Sequence, residues 1–444
     1  MGDDPTPHLE RYGSYERARR EFRWRIPEYF NIAVAILSRH SDAVTRVALV
    51  EARPGGLNTY TYGGLDYLSD KFATALKSRG VSRGDPVAVI LPQSAASIIA
   101  QLGALKLGAV VIPLKPELLA SALEFALKDS GARTVVIHHT VRERVRSITA
   151  PVETVFLVNK LKPAFEDSSP ERDFWREVFE ASADFTSFET SCQSPAFVFY
   201  AKAADDELVR ATHNHASLIH QLPAFEMCNY FQLAEDSVFW TPSDWEPVDS
   251  SLCSLYPALW YGGSVLACEA RVTGAEAWSL IEQCGITNLS ANVREIEGLR
   301  ESSQPAFSKG DFKLRNITVT EPVPAETYDW AKNTLGASVS TLFCDPLFGS
   351  AAASCNRWYE TPRGSIGRAA PGYEIEIVDE SGRKLPPRTE GRFAIRRDEQ
   401  RSSVEPAVDQ AIDASGPAHE WVVSGNVGFK DGEGNLWLSE SSAG

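Results

Sequence analysis

Between residues 86 and 138 the chain reads PVAVILP, AVVIPL and ARTVVIH, three apolar runs with hardly a polar break. A strand that alternates polar and apolar residues can leave one face in water. A strand apolar at every position has to be covered on both faces. Helices between successive strands provide that cover, and strands linked through helices lie parallel. The helical patterns are in place. Ile98, Ile99, Leu102 and Leu105 recur at helical spacing and stop at Gly108, and Leu119, Leu123 and Leu127 follow. Upstream, Leu65, Leu68, Phe72 and Leu76 mark a helix closed near Gly80, after short strands from Val47 to Val50 and Thr59 to Tyr62. These residues predict an α/β protein with parallel sheets flanked by helices.

At 444 residues the chain exceeds one ordinary core, so at least two subdomains are expected. The second half repeats the strand and helix patterns. SVLACE and ITNLSAN read as strands around a helix from Glu276 to Cys284, and LRNITV and SVSTLFC as strands around a helix from Pro324 to Leu335. Beyond residue 363 the pattern changes. Tyr373 to Val378 alternates with period two and ends in a Gly/Asp turn, which predicts a small antiparallel β-subdomain. Residues 398–419 are polar and read as a surface loop with a short helix.

The formal net charge of −15 argues against nucleic acid and anionic membrane as partners. No apolar run approaches membrane-spanning length. The charged opening MGDDPTPHLERYGSYERARREF is not a signal peptide. The seven cysteines are scattered, odd in number and without a C-x-x-C pair, which predicts free thiols in a reducing cytoplasm and no metal site.

Residues 195–219, PAFVFYAKAADDELVRATHNHASLI, read as a buried strand to Tyr200, a polar loop, and a helix opening around His213 to Leu218. A strand, loop and helix start can hold phosphate when the loop has glycines and a lysine. This loop has no glycine, and its one lysine, Lys202, stands at the strand end. Asp205-Asp206-Glu207 reads as a solvated turn rather than a calcium site. His213, His215 and His220 read as packed imidazoles beside a capped helix start rather than metal ligands.

The flanks of this stretch, PAFVFY and HNHASL, resemble the signature of adenylate-forming enzymes of the acyl-CoA synthetase group, close to its bacterial acetyl- and medium-chain branch. In that family a strand ending in Tyr leads into T-S-G-T-T-G-x-P-K-G and then H-x-H-x-S-L. On that frame Tyr200 matches, Asp206 falls on the second Gly, Val209 on the Lys and Arg210 on the last Gly. The resemblance continues through YERARREFRWRIPEYFNIA, FWTPSDWEPVDSSLCSLYPALWYGGSVLA, RGSIGRAAPG and WVVSGNVGFKDGEGNLWL, and spans roughly residues 14–438.

The resemblance implies an acyl-CoA synthetase-like large domain: two stacked βα subdomains of mostly parallel sheets flanked by helices, and a small antiparallel β-subdomain. The implied divisions are a lead (1–30), a first α/β subdomain (31–190), a second (191–362) and the β-subdomain (363–444). The family's small C-terminal domain, with its adenylating Lys, is expected to be absent. The nucleotide-site remnants would be Tyr200, His213, Phe343, Asp345 and Asn426. Where relatives read Y-G-Q-T-E, this chain reads Phe343-Cys344-Asp345-Pro346-Leu347, so Pro346 replaces the Thr near the phosphate and Leu347 the Glu that helps hold magnesium. The Asp that grips the ribose falls on Asn426. Trp240 and Trp245 are packed core on their own chemistry and acyl-pocket walls on the resemblance. The expectation is a degenerate, cytoplasmic family member with no catalytic residue, cofactor or metal. It would bind a protein partner, such as an active relative, or a small acyl or CoA-type ligand. The alternative is an AMP-forming acyl-CoA ligase using ATP, magnesium and CoA, with its C-terminal domain supplied by another chain.

Overall fold

The three apolar runs form the middle of a sheet. Pro86–Ile90, Val110–Pro113 and Thr134–His138 lie side by side and parallel, with every residue after Pro86 buried. In the computed structural model, which describes residues 4–158, 170–202, 208–234, 236–303, 310, 312–396, 404–406 and 421–439, this sheet has eight strands. Their order is Val404–Pro406, Leu208–Asn214, Pro195–Lys202, Val110–Pro113, Pro86–Ile90, Thr134–His138, Thr154–Val158 and Glu171–Asp173. From Pro195–Lys202 onward all neighbours are parallel.

A second sheet has nine strands in the order Arg368–Ala369, Gly349–Ala353, Ser338–Asp345, Asn316–Val319, Asn288–Ala291, Val238–Trp240, Ser264–Cys268, Val47–Arg53 and Gly56–Thr61. Its middle is parallel and both ends are antiparallel. The third, antiparallel sheet joins Ile375–Val378, Gly391–Arg396, Trp421–Lys430 and Leu436–Leu438. This is the expected α/β architecture with its antiparallel appendage.

The helices Ala95–Leu107 and Ser217–Cys228 are buried over their whole length. A helix without a polar face can only sit inside a protein. Their apolar residues join one cluster with Val87 and Val111 of the first sheet and Val265 and Leu342 of the second. Ser94 starts Ala95–Leu107 by accepting from Ser97 N, and Gly108 ends it at φ 75°. Gly103 lets that helix touch Tyr62–Ser78: a Cβ there would meet the Phe72 ring and Ser69 O at 2.9 Å.

The structure departs from sequence expectation in three places. His213 does not open a helix. It lies within the strand Leu208–Asn214, and the helix begins at Ser217 with no side-chain cap at Ala216. Pairing with Pro195–Lys202 satisfies this backbone, which a loop would leave to water. The sheets also interleave across residue 190. The early hairpin 47–61 completes the nine-stranded sheet, and the hairpin 195–214 completes the eight-stranded one. Within 398–419, Val404–Pro406 pairs antiparallel with Leu208–Asn214, and the rest lies outside the described residues.

The lead docks through specific bonds. Glu226 accepts from His8 N at 3.0 Å and Leu9 N at 2.6 Å. Tyr15 donates to Ala369 O at 2.9 Å, and Trp24 Nε1 to Gly372 O at 3.3 Å. Among the described residues, no helix is long and apolar enough to cross a membrane.

Candidate functional site

The end of the strand Ser338–Asp345 is where the three sheets meet. Phe343 packs against Phe393 of the antiparallel sheet, ring centroids 5.3 Å apart. One residue pair later, Asp345 is buried and fully engaged. Its carboxylate accepts from Leu347 N at 2.8 Å, from Asn426 Nδ2 at 3.0 Å and from the Ser424 hydroxyl. Burial pushes this carboxyl up from the ordinary range, opposed by those same donors. Ser424 Oγ in turn accepts from Asn426 N at 2.9 Å and Asn426 Nδ2 at 3.0 Å. The three side chains close on one another.

His213 reaches the same place from the hairpin. Its Nε2–H donates to Pro346 O at 2.8 Å, and its ring meets Phe199 edge-on at 5.4 Å. Burial lowers its pKa to about 4, so the ring is neutral at pH 7. Its neighbour His215 accepts from Ile32 N at 3.1 Å and is lowered by burial to about 3. The structure thus brings His213, Phe343, Asp345 and Asn426 together.

Tyr200 faces elsewhere. Its hydroxyl donates to Asp129 Oδ2 at 2.6 Å and lies 3.2 Å from Ala126 O, on the helix Ala120–Ser130. Burial, then Asp129, raises its pKa. Arg210, opposite Tyr200 in the hairpin, stands 3.7 Å from the same Asp129 carboxylate. The hairpin base is therefore tied to that helix. Residues 203–207, where the phosphate-loop resemblance departs furthest, lie outside the described residues, as does the side chain of Lys202.

Trp240 and Trp245 are both buried. Trp245 belongs to the central cluster, and Trp240 to the cluster around Leu266, Trp278 and Leu289. Neither indole N–H has a hydrogen-bond partner. Trp240 also borders a narrow, water-sized cavity whose wall includes Cys228, Asn229, Ser254, Asn288 and Thr318. No charged residue lines it.

Sequence reasoning missed Glu246. It is 8 % exposed, one of its oxygens has no partner, and burial followed by Asp244 pushes its pKa up to about 8. The only signal in the sequence is a carboxylate directly after a buried Trp. Ser424 was also missed, because a lone Ser in a strand carries no pattern. Among the described residues no group of three or more His, Cys, Asp or Glu is placed to hold a metal ion.

Comparison with known proteins adds three findings. The family model described as AMP-binding enzyme matches residues 39–400. The chain is 24 % identical to the acetyl-coenzyme A synthetase of Bacillus subtilis (strain 168), over 96 % of this chain and 76 % of that protein. It is 23 % identical to the mitochondrial acyl-coenzyme A synthetase ACSM3 of Mus musculus, over 98 % and 76 %. In fold it matches the crystal structure of an acyl-CoA synthetase from Brucella canis, with a TM-score of 0.86 at 21 % identity, covering 96 % of this chain and 79 % of that one.

Proposed function

The chain belongs to the AMP-binding enzyme family, and from that membership we propose that it is a non-catalytic, acyl-CoA synthetase-like protein that binds a partner or a small acyl-type ligand and forms no adenylate. The observation that carries this reading is the closure of Asp345, Asn426 and Ser424 on one another. On the family resemblance, Asn426 stands where a carboxylate grips the ribose. Its amide donors are turned inward to Asp345 and Ser424. A nucleotide would have to break these bonds, leaving a buried carboxyl short of donors, at about 1–3 kcal/mol for each group left unpaired.

The site suits ATP with magnesium poorly. Leu347, where the resemblance puts the metal-holding Glu, offers no side-chain oxygen. Val209, where relatives carry the phosphate Lys, offers no charge, and the adjacent Arg210 is drawn to Asp129. Phosphoryl and adenylyl transfer depend on cation clamps and positioned donors. What this chain's residues supply is a junction of three sheets and a charge-free, narrow cavity beside Trp240.

A second reading is favoured by the relatives. Acetyl- and acyl-coenzyme A synthetases align along nearly the whole of this chain, which spans 76 % of their length. On that reading the protein is an AMP-forming acyl-CoA ligase. Exchange of labelled pyrophosphate into ATP, run with acetate and longer carboxylates and with candidate partner chains added, separates the two. Non-catalytic binding predicts no exchange in any pairing; exchange above a no-carboxylate control overturns it.

A further inference from the structure

Four of the seven cysteines, Cys228, Cys253, Cys344 and Cys355, lie near one another where the helix Ser217–Cys228 packs on the strands Ser338–Asp345 and Gly349–Ala353. Two of them converge on one point. The strand register sets Cys344 opposite Ser350, and residues opposite each other in an antiparallel ladder project to the same face. Ser350 Oγ donates to Gln221 Oε1 at 2.8 Å, and Cys253 Sγ reaches the same oxygen at 3.5 Å. Gln221 thus draws the π-helical turn Ser251–Leu255 and this pair of strands together. Gln221 therefore sets the Cys253 thiol against the face of the strand pair that Cys344 shares with Ser350. Cys253 is fully buried, and Cys344 is partly exposed.

We propose that Cys253 and Cys344 are a redox-modification site: a dithiol that closes to a reversible disulfide in the wall of the sheet junction. A small disulfide such as oxidised glutathione is the oxidant. The Cys344 thiolate attacks it and releases one glutathione, leaving a mixed disulfide. The Cys253 thiolate then attacks the Cys344 sulfur and displaces the second. One S–S bond forms in the protein and one breaks in the oxidant. Two electrons pass to glutathione, and the two protein protons end on the two released thiols. The contact with Cys253, then burial, holds the Cys344 thiol well above its ordinary range, so the reaction is slow at neutral pH and quickens with alkalinity. The bond fastens the turn Ser251–Leu255 to the strand that carries Phe343 and Asp345. This inference is independent of the non-catalytic reading, because a thiol count reports on it whether or not nucleotide binds.

The test uses the full chain with oxidised glutathione at about pH 8.5, near the ordinary thiol pKa, and again near neutrality. Free thiols are then alkylated and non-reduced peptides mapped by mass spectrometry. The expected result is loss of two of the seven thiols and one intramolecular link joining the Cys253 and Cys344 peptides. The link forms faster at the higher pH, is reversed by dithiothreitol, and is absent from Cys253→Ser and Cys344→Ser. Persistence of all seven thiols overturns the proposal, as does glutathione held on Cys268 or Cys284 without the link. The wild-type map decides the matter even where a variant fails to fold.

Discussion

Asn426 gives its side-chain N–H to Asp345 Oδ2 at 3.0 Å, across 81 positions of sequence. This bond joins the end of the strand Ser338–Asp345 to the antiparallel sheet and, with the bond to Ser424, engages both amide hydrogens. Placing a carboxylate at this position sets two acids against one hydrogen bond. Asn426→Asp is expected to lose about 1–3 kcal/mol at neutral pH. The sign follows from Asp345, whose folded pKa already lies above its unfolded value. A raised carboxyl contributes stability at low pH that fades as pH climbs through the folded pKa. The variant should therefore approach wild type in thermal denaturation near pH 4 and fall away toward pH 8. A uniform loss at every pH contradicts the account.

Glu246 provides a second pH signature. Its unfolded pKa is about 4.3, and in the fold burial raises it to about 8. Between those values the unfolded chain has lost a proton that the native chain keeps. Stability contributed by this group falls as pH rises across that window, at up to ~1.4 kcal/mol per unit. Glu246→Gln removes the charge that must be desolvated. Its Tm should exceed wild type at pH 8 and converge with it near pH 4. Equal Tm values at pH 8 refute this role.

The buried histidines act in the opposite direction. His213 and His215 are lowered to about 4 and about 3 by burial. The unfolded chain binds these two protons near pH 6.5, and the native chain does not until pH 4 or below. Stability is complete above pH 6.5 and erodes as acid is added. Both imidazoles should stay neutral at pH 5 by NMR. A titration midpoint near 6.5 for either ring contradicts their burial.

Much of the fold was legible because its causes are local. Continuous apolar runs such as Val87 to Ile90 demand cover on both faces, and Gly108 could only end a helix. The second strand of the 195–214 hairpin was not legible. Leu208 to Asn214 does not alternate cleanly, with Thr212, His213 and Asn214 polar in a row, and His213 stands just before an apolar helix, so the helix claimed it. The site was legible only through resemblance. His213, Asp345 and Asn426 could be matched one at a time, but no spacing shows that Pro346 O receives His213 or that Ser424 completes the group. Glu246 and the thiol pair depend on chain segments that meet only in three dimensions.

The most direct test of the central claim is titration calorimetry of the full chain with ATP and magnesium. With Asn426 bonded to Asp345, Leu347 where the family resemblance puts a metal-holding acid and Arg210 drawn to Asp129, no saturable heat is expected at micromolar nucleotide, an affinity that would require about 8 kcal/mol. One-site binding in the micromolar range contradicts the account and reinstates the ligase reading.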